Sequence, residues 1–143
     1  MLWSVGYEGR SADDLLHALT EAGVEVLADV RLNPLSRKPG LSKKRLAAAL
    51  AELGIDYVHL PQLGNPRDNR PAFARREPAA WDRYRAGLTD PAADEALEEL
   101  GALARAKRVA VLCFEHDVAV CHRSLVLEEL ARRDPSLGAP IHL

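Results

Sequence analysis

Short apolar runs alternate with amphipathic stretches along this chain, and that alternation restricts the fold more than any other feature of the sequence. LWSVGY (2–7) predicts a strand ending at Gly6. In SADDLLHALTEAG, Ser11 and Asp14 have the spacing of a reciprocal cap, Leu15, Leu16 and Leu19 supply an apolar side, and Gly23 is a stop; this is an amphipathic helix. VEVLADVR (24–31) predicts a second strand, LSKKRLAAALAELG (41–54) a helix closed by Gly54, and IDYVHLP (55–61) a third strand closed by Pro61. Helices are expected over 79–88 and over 92–105, the second capped by Asp90 with Pro91 at its first position. RVAVLCF (108–114) is an unbroken apolar run suited to burial on both faces of a sheet. A last helix begins between Asp117 and His122 and ends at Arg133, and PIHL is a short strand. Parallel strands need crossover connections, so the pattern implies an α/β fold. The expected form is a three-layer sandwich: a mainly parallel central sheet of about five strands flanked by helices, in a single domain over 1–143.

The alternation lapses between 62 and 78, where seventeen residues rich in Pro, Asn and Arg predict a long loop of the kind that is more often functional than idle. Charge is also uneven there. The net charge is −2, yet Arg31 to Arg85 carries twelve Lys and Arg against five Asp and Glu. Clustered cations suit an anion-binding face for a nucleotide, a phosphorylated metabolite or nucleic acid, and a solvated basic surface is the plain alternative. Aromatic residues, at 5%, are too few for an extended base-stacking platform. No apolar run approaches the roughly 18 residues that span a bilayer. Nothing at the N-terminus resembles a secretion signal, and two cysteines do not make a disulfide framework, so a cytoplasmic location without a membrane partner is expected. These features specify no cofactor and no oligomeric state.

Reactive residues concentrate in LCFEHDVAVCHRSLVLEEL (112–130), which contains both cysteines and two of the five histidines. In an open parallel sheet, ligands bind outside the carboxyl ends of the strands. Tyr7, Asp29, Arg31, His59, Cys113 and Glu115 all fall at such ends in the expected arrangement. Cys121, His122, Arg123 and Ser124 fall near the start of the last helix, where free N–H groups and the helix dipole favour an anion, Arg123 adds a two-pronged donor, and a nearby thiol is acidified. On this reasoning Cys121 is the acidic thiol, and Cys113 is a small core residue. A phosphatase-like loop loses most of its support on spacing, since positions 119 and 127, six residues after each cysteine, are Ala and Leu. Cys113, His116, Cys121 and His122 are suitable metal ligand types, but adjacent Cys121 and His122 would diverge on a helix, so no metal site is expected. A redox pair of Cys113 and Cys121 lacks the Cys-x-x-Cys spacing.

SVGYEGRS, LADVRLNPLSRKPGLSKKRLAAAL, GIDYVHLPQLGN and CFEHDVAVCHRSLVLEEL followed by IHL together resemble the domain of unknown function 488 family, nearly end to end. The resemblance implies an α/β fold and a shared polar site. The family pattern has a small residue where this chain has Phe114, and often Gly-His-Ser where this chain has Gly6-Tyr7-Glu8; both departures bear on the substrate.

The reading that follows is an enzyme acting on an anionic, nucleotide-like or phosphorylated substrate at the C-terminal edge of the sheet. Glu115, Cys121 and His122 are the expected catalytic residues. Tyr7, Asp29, Arg31, Ser36, Arg37, His59, Arg123 and Ser124 are the expected substrate-binding residues. Asp29 and Arg31 suit a structural ion pair equally well, and His59 a core histidine. The alternative function is a non-catalytic nucleic-acid or nucleotide binding module, with the basic middle contacting phosphates.

Overall fold

The computed structural model describes residues 1–143. Five strands, β1 (Leu2–Gly6), β2 (Val26–Asp29), β3 (Asp56–His59), β4 (Val109–Cys113) and β5 (Ile141–His142), form one sheet in the order β3-β2-β4-β1-β5. Every pairing is parallel. The most apolar run, β4, lies at the centre between β2 and β1, where both of its faces are covered.

Successive residues of a strand face opposite sides, and the core divides accordingly. Val109, Val111 and Cys113 join one apolar cluster, while Ala110 and Leu112 join the other. The second cluster is closed by Leu15 and Leu19 of helix α1 (Ala12–Glu21) and by Leu46 and Leu50 of helix α2 (Lys43–Glu52). The first is closed by a short helix α3 (Arg70–Ala74) and by α4 (Pro78–Gly87), α5 (Pro91–Ala106) and α6 (Arg123–Arg133). The result is the three-layer α/β sandwich expected of the alternation. Ser11 and Asp14 form the reciprocal cap of α1, each satisfying a backbone N–H that the first turn leaves open.

The stretch from 62 to 78 differs from the loop expected of it. It holds two 3-10 turns, Pro61–Leu63 and Arg67–Asn69, and then α3. Pro71 suits the first turn of α3, where no intrahelical donor is lost. Phe73 anchors the segment. Its ring is buried, stacks on Trp81 at 4.4 Å and meets the edge of Tyr84 at 5.8 Å. Three aromatic residues within twelve positions of one another thus hold a segment that has no apolar periodicity of its own.

Two glycines permit close backbone crossings beside the strand ends. A β-carbon on Gly6 would collide with the carbonyl of Glu115, and one on Gly64 would come within 2.6 Å of the Leu32 backbone. The chain leaving β4 therefore passes directly over the end of β1, which brings residues 113–116 onto Tyr7 and Glu8. No helix is long and apolar enough to cross a membrane.

Candidate functional site

A cleft of about 470 Å³ opens at the carboxyl ends of the strands. The segments following β1, β2 and β4 form its walls through Tyr7, Arg31 and the run Cys113-Phe114-Glu115, and His122 also lines it. The sheet order accounts for its position, because the chain runs outward from β1 through β2 to β3 and then returns to insert β4, so the loops part above the central strands.

Asp29 and Arg31 form the fixed part of this edge. The Asp29 carboxylate is completely buried and accepts from the Arg31 backbone at 3.0 Å, from Nε at 2.9 Å, from Nη2 at 2.7 Å and from the Tyr57 hydroxyl at 2.5 Å. Arg31 also donates to the Leu41 carbonyl at 2.8 Å and to the Tyr7 hydroxyl at 3.3 Å. Burial alone would lower the Arg31 pKa, but the hydrogen bonds and charge of Asp29 raise it above the ordinary value. Tyr57 is likewise raised, by burial and then by Asp29. The pair ties the end of β2 to the segment carrying residues 33–41. His59 Nε2 pairs with the Arg31 carbonyl at 2.8 Å. His59 belongs to the same edge but does not line the cleft.

Further cations line the cleft. Ser36, Arg37 and Lys38 line the cleft, as does Arg70 from α3. Ser36 Oγ accepts from the Lys38 N–H, and Lys38 Nζ donates to the carbonyls of Tyr7 and Arg10 at 2.9 and 3.0 Å. Arg37 and Arg70 are exposed and make no ion pair. Glu115 is the single carboxylate lining the cleft. Lys38 and Arg70 were not among the residues expected of the site. The basic composition of the middle segment was their only sequence signal, and Arg70 reaches the cleft because Phe73, three residues on, is anchored in the core.

Arg123 has a different location from that expected. Instead of facing a ligand it is 1% exposed and does not line the cleft. It donates to Ser4 Oγ at 2.7 Å, Cys113 Sγ at 2.8 Å, the Glu115 carbonyl at 2.6 Å and the His116 carbonyl at 3.1 Å. Burial pulls its pKa down to about 10. It therefore clasps the chain that leaves β4, and acts on the cleft by holding Glu115 in position. Its sulfur partner is Cys113 and not Cys121, the thiol expected beside it at a helix start. Ser124 turns away from the cleft and bonds the Cys121 carbonyl at 2.8 Å.

Beneath the cleft floor the two cysteines meet. Cys113 and Cys121 are joined as a disulfide, with Cα atoms 7.5 Å apart. Cys121 is completely buried, and Cys113 forms part of the floor. On a helix, as the sequence predicts, adjacent Cys121 and His122 would point apart. In fact α6 begins at Arg123, and Cys121 is extended. Their ligand atoms converge: those of Cys113, Cys121 and His122 lie within 4.8 Å of one another. His122 Nε2 pairs with the Val30 carbonyl at 2.9 Å, and Nδ1 lies 3.8 Å from Cys121 Sγ. A carbonyl can only accept, so Nε2 carries the proton and Nδ1 presents its lone pair to the sulfurs. Burial pushes the His122 pKa down to about 4, and the ring is neutral at physiological pH.

Of the expected residues, Tyr7, Arg31, Ser36, Arg37, Glu115 and His122 share the cleft; Asp29, His59, Cys121 and Arg123 support it from behind, and Ser124 lies apart. The family model described as "Domain of unknown function DUF488" matches residues 11–130. No curated protein and no solved structure matches the chain.

Proposed function

Since the chain belongs to the family described as Domain of unknown function DUF488, a family defined without an activity, we propose a function from the cleft itself: an enzyme acting on a small anionic substrate, nucleotide-like or phosphorylated. One observation carries the reading. Arg37, Lys38 and Arg70 line a cleft in which Glu115 is the only carboxylate, and the charge of the fourth cation, Arg31, is already neutralised by Asp29. A concave site with an excess of positive charge raises the local concentration of anions and binds them through charge-assisted hydrogen bonds. Glu115 faces the bound anion from the opposite wall and acts as the proton-transfer group. Cys121 is buried and disulfide-bonded beneath it and takes no part in the transfer, and His122 borders the cleft as a neutral imidazole. Tyr7 and Phe114, whose rings meet edge to face at 5.3 Å, form an apolar ledge suited to the uncharged part of the substrate.

Calorimetric titration with inorganic phosphate and nucleoside monophosphates tests this. Saturable binding is expected, weakened about ten-fold by Arg70→Ala or Arg37→Ala, the loss of one charge-assisted hydrogen bond. Glu115→Gln retains or tightens that binding and removes turnover. Absence of saturable binding by the wild type refutes the reading.

The alternative, a nucleic-acid module, draws support from Arg67 and Arg76, exposed cations without ion-pair partners. It is opposed by Arg75, Arg83 and Arg85, which pair with Glu77, Asp68 and Glu128. Oligonucleotide binding that falls steeply with salt and loses affinity on Arg67→Ala or Arg76→Ala would favour that module.

A further inference from the structure

We propose that Cys113, Cys121 and His122 form a binding site for a zinc-type divalent ion when the cysteines are in the dithiol state, with the ion's open position facing the cleft. Two features support it. The ligand atoms lie within 4.8 Å of one another in the disulfide form, so once the S–S bond is reduced the two sulfurs can part around one ion that the imidazole nitrogen also reaches. The set of two sulfurs and one imidazole nitrogen matches the borderline-soft character of zinc.

The surroundings are those that orient metal ligands. Metal-binding histidines commonly donate their second N–H to a carbonyl or carboxylate, which sets the tautomer and aims the free nitrogen at the ion. The Val30 carbonyl does this for His122 at 2.9 Å. Arg123 does the corresponding work at sulfur, donating to Cys113 Sγ at 2.8 Å and so favouring a thiolate there. Cys113 and His122 both border the cleft while Cys121 lies behind them, so three protein ligands leave the fourth position on the open side. Glu115 Oε2, 3.5 Å from Cys113 Sγ, stands beside that position. Three protein ligands with an exchangeable fourth is the arrangement of catalytic rather than structural zinc. Binding displaces one proton from each thiol and leaves all oxidation states unchanged. The disulfide form lacks the thiolate pair and must first be reduced by a thiol or phosphine.

The full chain, reduced with a phosphine and stripped of metal with a chelator that is then removed, is titrated with Co²⁺ as a spectroscopic stand-in for zinc. One equivalent is expected to bind, with thiolate-to-cobalt charge transfer in the near ultraviolet and the intense visible bands of a tetrahedral site. Zn²⁺ should displace it and protect both thiols from alkylation. Cys113→Ser removes the charge-transfer band or reduces it by about half, and His122→Gln weakens uptake ten-fold or more. The oxidised wild type shows no such spectrum, and this comparison stands even if a cysteine variant fails to fold. Failure of the reduced wild type to take up cobalt, uptake without thiolate charge transfer, or equal uptake by the oxidised chain overturns the proposal. Phosphate binding measured on the same metal-free protein separates this site from the anion reading. Retained phosphate binding without cobalt uptake sinks the metal site alone.

Discussion

Arg123 donates to the sulfur of Cys113 at 2.8 Å across ten residues of chain, and by the same guanidinium to Ser4 on the neighbouring strand. This contact joins the start of α6 to the ends of β4 and β1, so the last helix and the cleft wall are held by one buried cation. Arg123→Ala would leave the carbonyls of Glu115 and His116 and the Ser4 hydroxyl without this donor. Each such buried loss costs about 1–3 kcal/mol, and the urea midpoint should fall by an amount equivalent to about 3 kcal/mol or more. Arg123→Lys should recover only a minor part, because an ammonium cannot reproduce the planar fork. A melting curve unchanged by Arg123→Ala contradicts this role.

The same geometry predicts which thiol is the more acidic. In the reduced protein Cys113, with a guanidinium at its sulfur, should react with a small alkylating agent at lower pH than Cys121, which is fully buried against a neutral imidazole. Mass-spectrometric rates at each cysteine as a function of pH are the measurement. Faster alkylation of Cys121 would return the acidic thiol to the helix start.

Asp29→Asn should be among the most damaging single changes in the molecule. The carboxylate is completely buried and answers Arg31 through three donors, so its neutralisation strands a buried guanidinium. Breaking one side of a buried pair costs about 3–5 kcal/mol. Chemical denaturation reads the loss directly, and the double replacement of Asp29 and Arg31 by Asn and Met should be less harmful than Asp29→Asn alone.

Gly6→Ala tests the crossing of the β4 exit over β1. A methyl group there meets the Glu115 backbone, which cannot yield as a side-chain tip can, so Glu115 must shift. The expected outcome is a loss of stability of about 1–3 kcal/mol together with weakened anion binding. Wild-type behaviour in both measurements would contradict the close approach.

Glu129 predicts an acid-sensitive surface contact remote from the cleft. Hydrogen bonds from Arg132, and then from Arg133, hold its pKa down to about 2. Its folded value lies below the unfolded one, so the stabilisation is fully present above about pH 4.5 and is lost as the pH falls toward 2. The site is partly open to solvent, which limits the effect to about 1 kcal/mol. Glu129→Gln should therefore flatten the stability profile between those pH values and leave the profile at pH 7 and above with the same slope as the wild type.

Sequence by itself determined the α/β class, the parallel sheet and the edge at which polar residues gather. The reason is local: a period of two, a period of 3.6 and the stop at each Gly or Pro can be read within a dozen residues. Tyr7, Asp29, Arg31 and Glu115 could be assigned to that edge because they follow strand ends. What each side chain does there depended on contacts that no short window contains. Arg123 was read as a ligand-facing donor from its position at a helix start, but packing turned it inward to Ser4, 119 residues away. Cys121 and His122 were judged divergent on a helix that in fact begins one residue later, and the extended residue at 121 let their ligand atoms converge with that of Cys113. Local periodicity specifies which elements form and which ends they share. The direction of a buried side chain is settled only when the layers close, because every polar group taken from water must then find its partner among whatever the fold has brought near.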